Sequence, residues 1–385
     1  MKKLCAIMLT SAVILSSGIF SGFTLENKQG SLVHGCKSAY LMDYGSGECI
    51  YKENETARMP IASVCKVMTL TLVFDAINAG SLNLTDVVTV SEKASGMGGS
   101  QVFLKAGCEY NVDQLIKSVV VCSANDSCVA LSETVAGAEE AFVAKMNKKA
   151  AELGCSNTLF ANCTGLPREP QYSCAKDVAV MFSNLIKNED YYKYSKVWLE
   201  DFQHPENRTT SMTNTNKLIR KYSFCDGGKT GFTNEAGFCL ASTAKKNNMR
   251  LVSVVLGGST SDDRFASAMN MFEYGFANYK NKIVLDKDVT LNDEFFARGG
   301  KRDTFKVRPE RNSYVFSAVN ETPEISYHMV AYDVKAPVAE NSVVGYIEVY
   351  KNNVLTDSVN VVAAENLEKA NFGDYFKKIA GEWAI

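Results

Sequence analysis

Histidine is scarce in this 385-residue chain: only His34, His204 and His328 occur, and they are far apart. No Cys-x-x-Cys pair accompanies them, which argues against a zinc site, and neither metal nor cofactor is expected. An excess of charge of either sign is also missing. Lysine and arginine total 41 against 43 acidic residues, a formal net charge of -2, so there is no basic footprint for nucleic acid. After Thr24 no long apolar run recurs, and no second membrane span is expected. Cysteine disappears after Cys239, all twelve lying between Cys5 and that residue. Several, such as Cys122, Cys128, Cys174 and Cys239, sit in apolar runs where cysteine packs as a small core residue. Exported proteins in oxidising surroundings usually pair their cysteines. The expectation here is mostly free, buried thiols in a reducing or oxygen-poor setting, with room for one or two disulfides.

The start of the chain is cationic and then apolar. Lys2 and Lys3 precede an uncharged run from Leu4 to Thr24 that ends in small residues, the form of a secretory signal peptide. The run is just long enough to span a bilayer, so an uncleaved anchor is the other reading. Either one puts the rest of the chain outside the cytoplasm.

About 360 residues remain, enough for two domains. Strand patterns at Ala39–Met42 and Cys49–Tyr51 flank a turn at Tyr44–Gly47. Helical patterns follow at Val112–Val121, Asp126–Ala136, Ala138–Leu153 and Lys176–Asn188. Two strands then flank a turn at Asn247-Asn248, and Ser261 is expected to cap a helix running to Tyr279. Strands at both ends with helices between them predict an α+β domain over residues 25–282, its sheet closed by both ends of the segment. Residues 283–364 read as a small antiparallel β domain. Its strands are expected at Lys287–Leu291, Thr304–Arg308, Tyr314–Val319, Ile325–Tyr332 and in a hairpin over Val343–Val362 folded at Asn352-Asn353. In the tail, 365–385, Phe372, Tyr375, Phe376, Ile379 and Trp383 recur at helical spacing opposite Asp374, Lys377 and Lys378. Such a helix suits a membrane surface, which the exported context favours, or docking on the β domain.

Chemistry is concentrated in three short motifs. Ser63-Val64-Cys65-Lys66 lies at the start of an apolar helical pattern with Pro60 upstream and Gly80 downstream. Residues three apart share a helix face, so the Ser63 hydroxyl and the Lys66 amine can meet. A neutral amine in reach takes the hydroxyl proton and makes serine a nucleophile. Alone the motif is weak, since Ser-x-x-Lys also arises as a cap and a solvated lysine. Ser123-Ala124-Asn125 falls between two predicted helices, where its polar side chains could project into a cleft. Lys229-Thr230-Gly231 follows Asp226-Gly227-Gly228, and taken alone could be a guarded strand edge.

In this order the three motifs form the signature of serine penicillin-interacting enzymes. The text around them, including Asn162-Cys163-Thr164-Gly165-Leu166, Asn214-Thr215-Asn216 and Asp226–Gly237, resembles D-alanyl-D-alanine carboxypeptidases. These are the low-molecular-mass penicillin-binding proteins of serine peptidase family S11. The resemblance runs from about Lys37 to Lys280, and the trailing β domain and amphipathic tail match the family's layout. It implies a DD-peptidase/β-lactamase-like fold, peptidoglycan stem peptides as substrate and β-lactams as inhibitors. It implies Ser63 as nucleophile, Lys66 as general base, and Ser123 as proton relay to the leaving amine. Asn125 would hold Lys66 and the substrate amide, while Lys229 and Thr230 would bind the terminal carboxylate. Lys229 is also the candidate cation that depresses the Lys66 pKa. Gly231 would let the substrate backbone approach, and the backbone N–H groups of Ser63 and Phe232 would form the oxyanion hole. It also implies a peripheral place on the outer face of the cytoplasmic membrane, reached through the tail.

Cys65 stands where the family usually has threonine, and Gly228 where leucine is common; neither removes a reacting group. A β-lactamase shares the three motifs, but no glutamate-bearing loop for deacylation is evident between Ser123 and Lys229. A non-catalytic wall-binding protein on the same scaffold is the reading from a different class.

Overall fold

The computed structural model describes residues 30–383; the expected signal peptide, 1–24, lies outside them. The catalytic half is built on a five-stranded antiparallel sheet. Two strands come from its beginning, β1 (Ser38–Asp43) and β2 (Cys49–Glu53). Between these and the returning strands lie α1 (Lys66–Asn78), α2 (Val112–Val121), α3 (Asn125–Ala136), α4 (Glu139–Glu152), α5 (Ala175–Leu185) and α6 (Tyr191–Ser195). Then come β3 (Cys225–Thr233), β4 (Gly237–Lys246) and β5 (Met249–Gly258), followed by α7 (Ser261–Asn278). The strand order β2-β1-β5-β4-β3 joins both ends of the segment in one sheet, as the alternation of patterns predicts, and leaves β3 on the edge. This is the expected α+β fold.

Local sequence explains the turns. In the first hairpin Asp43 is fully buried, and its Oδ2 accepts from the Ser46 N–H (2.7 Å) and Oγ (3.0 Å). Asn247, with φ +54°, turns the chain so that Lys246 pairs with Met249. One face of the sheet joins the helical core of Met68, Val119, Leu131, Phe142 and Phe182. The other receives α7, where Gly275 lets the helix approach Leu41 and Leu251. The cap of α7 is Thr260 rather than Ser261. Thr260 Oγ1 accepts from the Asp263 N–H, and Asp263 returns the bond to the Thr260 N–H.

The C-terminal part is all β: β6 (Tyr279–Leu285), β7 (Glu294–Arg298), β8 (Thr304–Pro309), β9 (Ser313–Ala318), β10 (Ile325–Ala331), β11 (Val334–Lys335), β12 (Val343–Lys351) and β13 (Val354–Ala363). Six of these form a sheet in the order β10-β12-β13-β8-β7-β11, and β6 pairs with β9. The hairpin at Asn352-Asn353 forms as expected. The expected strand Lys287–Leu291 does not: the strand lies earlier, as β6. Its successor is a turn in which Asp286 accepts from the Asp288 N–H and the Val289 N–H. Polar Asp286 and Asp288 bracket that turn, and side-chain capping of nearby N–H groups outcompetes pairing. The chain closes with α8 (Phe372–Trp383).

All eleven described cysteines are free thiols. Cys49 is exposed, and seven of the eleven are buried.

Candidate active site

Ser63 does not open a regular α-helix. Residues Ala62–Cys65 form a 3-10 turn that leads directly into α1 at Lys66. In that tighter turn side chains three apart eclipse one another, which places Lys66 over Ser63. Lys66 Nζ lies 2.9 Å from Ser63 Oγ. Ala62, just before the serine, is held at φ +46°, a conformation costly for a residue with a Cβ.

The ammonium position of Lys66 is fully enclosed, and two further oxygens surround it: Asn125 Oδ1 and the Thr164 carbonyl, each at 2.6 Å. Asn125 Nδ2 donates to the Gly98 carbonyl at 2.7 Å, which fixes the amide so that its oxygen faces the lysine. Both neighbours of Lys66 can therefore only accept. A neutral amine has two N–H donors, and these two oxygens take both. Its lone pair is left for the third neighbour, the Ser63 hydroxyl, which can donate. Burial lowers the Lys66 pKa from its ordinary value.

Lys229, on edge strand β3, is buried as well. Its Nζ donates to Ser123 Oγ at 2.8 Å and to the Thr230 carbonyl at 3.0 Å. Burial first, and the charge of Lys66 second, hold its pKa well below the ordinary lysine range. Desolvation is thus the main cause for both amines. Ser123 sits between α2 and α3 at φ +66°, so the bend aims its hydroxyl at Lys229 at a cost in backbone strain. Thr230 Oγ1 donates to Thr215 Oγ1 at 2.7 Å.

Gly231 is where β3 meets the nucleophile turn. A Cβ there would lie 2.7 Å from the Ile61 carbonyl oxygen and 3.0 Å from the nitrogens of Ser63 and Val64. The glycine therefore permits strand and turn to touch, and brings the backbone leading into Phe232 beside that of Ser63. Arg264 from α7 donates to the Gly231 carbonyl at 3.1 Å and to that of Cys239 at 3.2 Å. Gly228 has a packing reason too: a Cβ would come within 2.6 Å of Asn216 Nδ2 and 2.8 Å of the Ala241 oxygen. The Phe232 ring is half exposed and lies 4.3 Å from that of Phe238.

Three groups not singled out by chemistry in the sequence complete the site. The Asn162–Leu166 segment supplies the Thr164 carbonyl, and Asn162 Oδ1 accepts from the N–H groups of Thr164 (3.1 Å) and Gly165 (2.7 Å). Asn followed by Thr-Gly is a turn signal that could have marked it. Buried thiols donate to the same segment, Cys65 to the Asn162 carbonyl (3.4 Å) and Cys128 to that of Cys163 (3.1 Å). Cys65 thus faces the Asn162–Leu166 segment. Glu139 Oε1 accepts from the Cys163 N–H at 3.1 Å, while Lys93 lies 2.9 Å from its Oε2. No local pattern foretold that tie.

The chain is similar to known proteins along both of its halves. A family model described as D-alanyl-D-alanine carboxypeptidase matches residues 26–260, and one described as penicillin-binding protein 5, C-terminal domain, matches residues 278–369. The chain is 34% identical to the Bacillus subtilis D-alanyl-D-alanine carboxypeptidase DacF, over 100% of this chain and 99% of that one. It is 32% identical to DacC of Escherichia coli, over 86% of this chain and 84% of that one. Penicillin-binding protein 5 from Haemophilus influenzae superposes with a TM-score of 0.67 at 29% identity, covering 87% of this chain and 98% of that one. With relatives matched along nearly their whole length and both halves accounted for, this chain belongs to the D-alanyl-D-alanine carboxypeptidase family, enzymes of the penicillin-binding kind.

Proposed function

We propose that this enzyme removes the terminal D-alanine from peptidoglycan stem peptides through an acyl-enzyme on Ser63. The observation that carries the reading is the set of neighbours around Lys66, two obligate acceptors and one hydroxyl. Ser63 Oγ gives its proton to the neutral Lys66 amine and bonds to the penultimate D-alanine carbonyl carbon. The tetrahedral oxyanion is met by the N–H groups of Ser63 and Phe232. The C–N bond breaks, and the proton reaches the leaving D-alanine amine through Ser123. Water then cleaves the ester and restores Ser63. Lys229 and Thr230 bind the free carboxylate of the substrate and Asn125 steadies its amide, while Gly231 lets β3 pack against the nucleophile turn rather than making room for the substrate. A β-lactam acylates the same serine, but its leaving group stays tethered and the adduct persists.

The substrate places the enzyme outside the cytoplasm, as the leader sequence suggests, in wall biosynthesis and remodelling. Among the described residues no helix is long and apolar enough to cross a membrane. On α8 the side chains of Phe372, Tyr375, Phe376 and Ile379 are exposed, which favours the surface of the cytoplasmic membrane as their resting place. Co-sedimentation with lipid vesicles, lost on the double change Phe372→Ser and Phe376→Ser, checks this.

The test of the reaction is D-alanine release from an acyl-D-Ala-D-Ala peptide. Ser63→Ala should abolish release and penicillin labelling in a folded protein. Lys66→Arg should also be nearly inactive, because a guanidinium keeps its proton at neutral pH. Wild-type labelling of the arginine variant would remove Lys66 from the role of base.

A further inference from the structure

A cavity of about 750 Å³ opens between the end of the five-stranded sheet and the C-terminal β domain. None of Ser63, Lys66, Ser123 or Lys229 lines it. Its volume and its place between two domains suit a ligand site. Most of its charges are already matched. Arg250 grips Asp226 with two bonds, at 2.7 and 2.8 Å, and Arg311 grips Asp357 likewise, at 2.9 and 2.6 Å. Lys351 lies 3.8 Å from both Glu48 and Glu321. Among the described residues Lys196 and Lys245 have no carboxylate within ion-pair reach, against one such acid on the wall, Glu189. The cations stand beside aromatic faces: Lys196 and Arg250 both approach the Tyr192 ring, at 5.9 and 4.8 Å. Tyr44 and Tyr314 add further rings, and Asn248 and Asn312 add amides.

Aromatic faces, amides and two spare cations suit a ligand with C–H faces, hydroxyl or amide groups, and a few isolated carboxylates. A dense polyanion suits them poorly, since four carboxylates share the walls. The cleft is also tied to the active site. The chain leaves it through Lys196 to Trp198, where Arg220 stacks at 5.2 Å. Asn214 holds the Val197 carbonyl at 2.7 Å, and the next residue, Thr215, holds Thr230.

We propose that this cleft binds a second, uncleaved stretch of the wall polymer whose chain end is being trimmed: a glycan–peptide segment whose carboxylates meet Lys196 and Lys245. The proposal rests on the substrate class given above. Through it the enzyme holds polymeric substrate more tightly than a free peptide.

The test uses the full chain and its Lys196→Ala/Lys245→Ala double variant, with two substrates: a short acyl-D-Ala-D-Ala peptide and soluble glycan strands bearing pentapeptides. Removing two exposed ion pairs should raise KM for the strands about fivefold. The short peptide should be cleaved with wild-type kcat and KM. An unchanged KM on strands, or an equal rise on both substrates, overturns the cleft assignment. A binding arm separates this from the chemistry. By titration calorimetry, Ser63→Ala protein should bind soluble strands bearing only tripeptides, and the triple variant should not. Absence of that binding overturns the cleft, whereas binding without D-alanine release by the wild type supports the cleft and overturns the reading of the reaction.

Discussion

Gly165→Ala tests whether the Asn162–Gly165 turn holds the nucleophile in place. Gly165 has φ +82°, and a Cβ there would fall 1.9 Å from the Ala62 carbonyl oxygen, 2.4 Å from its carbon and 2.9 Å from the Ser63 nitrogen. All three are backbone atoms, so no side chain can swing aside. The left-handed conformation alone costs an alanine about 1–2 kcal/mol. Relieving the clash needs a shift of about 1 Å, and forced repacking of this kind costs about 1–3 kcal/mol more. The sum is about 2–5 kcal/mol. Whichever segment yields, the site suffers. If the turn retracts, the Thr164 carbonyl leaves Lys66; if Ala62 moves, Ser63 moves with it. A displacement of about 1 Å at reacting groups lowers rates about 100-fold. Stopped-flow acylation by a fluorescent penicillin and thermal unfolding measure the two effects. Gly154→Ala is the control, with φ +75° but nothing within 4 Å of the added Cβ, so it should lose stability from the backbone alone and acylate normally. Wild-type acylation by Gly165→Ala would refute the proposed packing of turn against nucleophile.

Two further outcomes follow from the electrostatics. Because burial lowers the Lys66 pKa, the neutral, reactive amine persists to lower pH than for a solvated lysine. Acylation should therefore fall on the acid side of Lys66 and reach its plateau well before the ordinary lysine range near about 10.4; a limb centred there would contradict the assignment. Glu139→Ala should orphan the buried Cys163 N–H, cost about 1–3 kcal/mol and slow acylation, while Glu139→Gln, which keeps an acceptor, should restore most of both. Equal behaviour of the two variants would show that the carbonyl acceptor is not what matters.

Much of this architecture could be read from residue order. Apolar strand patterns located four of the five strands of the catalytic sheet, whereas the glycine-rich edge strand β3 carries no such pattern and read at most as a strand edge. Val112–Val121 ran as a helix over the same residues that its period marked. The Ser63, Ser123 and Lys229 motifs, each weak alone, were legible through their order along the chain and the family resemblance, and the fold brings Lys66 to Ser63 and Lys229 to Ser123. The rest depends on long-range contacts that leave no local trace. Nothing near Lys66 in the sequence shows that Thr164 will face it. Gly231 reads from sequence as room for the substrate backbone, whereas the distances to the Ile61 carbonyl and the Ser63 nitrogen show that it makes room for the nucleophile turn. The misplaced strand at Lys287–Leu291 was drawn by Val289 and Leu291, whereas capping by Asp286 decides the turn.

The thiol inventory bears on where this molecule can be assembled. With none of the described sulfurs joined to another, the fold among those residues needs no oxidant or disulfide isomerase to mature, and reductants leave its cohesion untouched. Air is a slow hazard as well: Cys49 is the exposed thiol among the eleven described, but burial of its sulfur raises its pKa, which keeps the thiolate scarce and hinders covalent coupling of two copies.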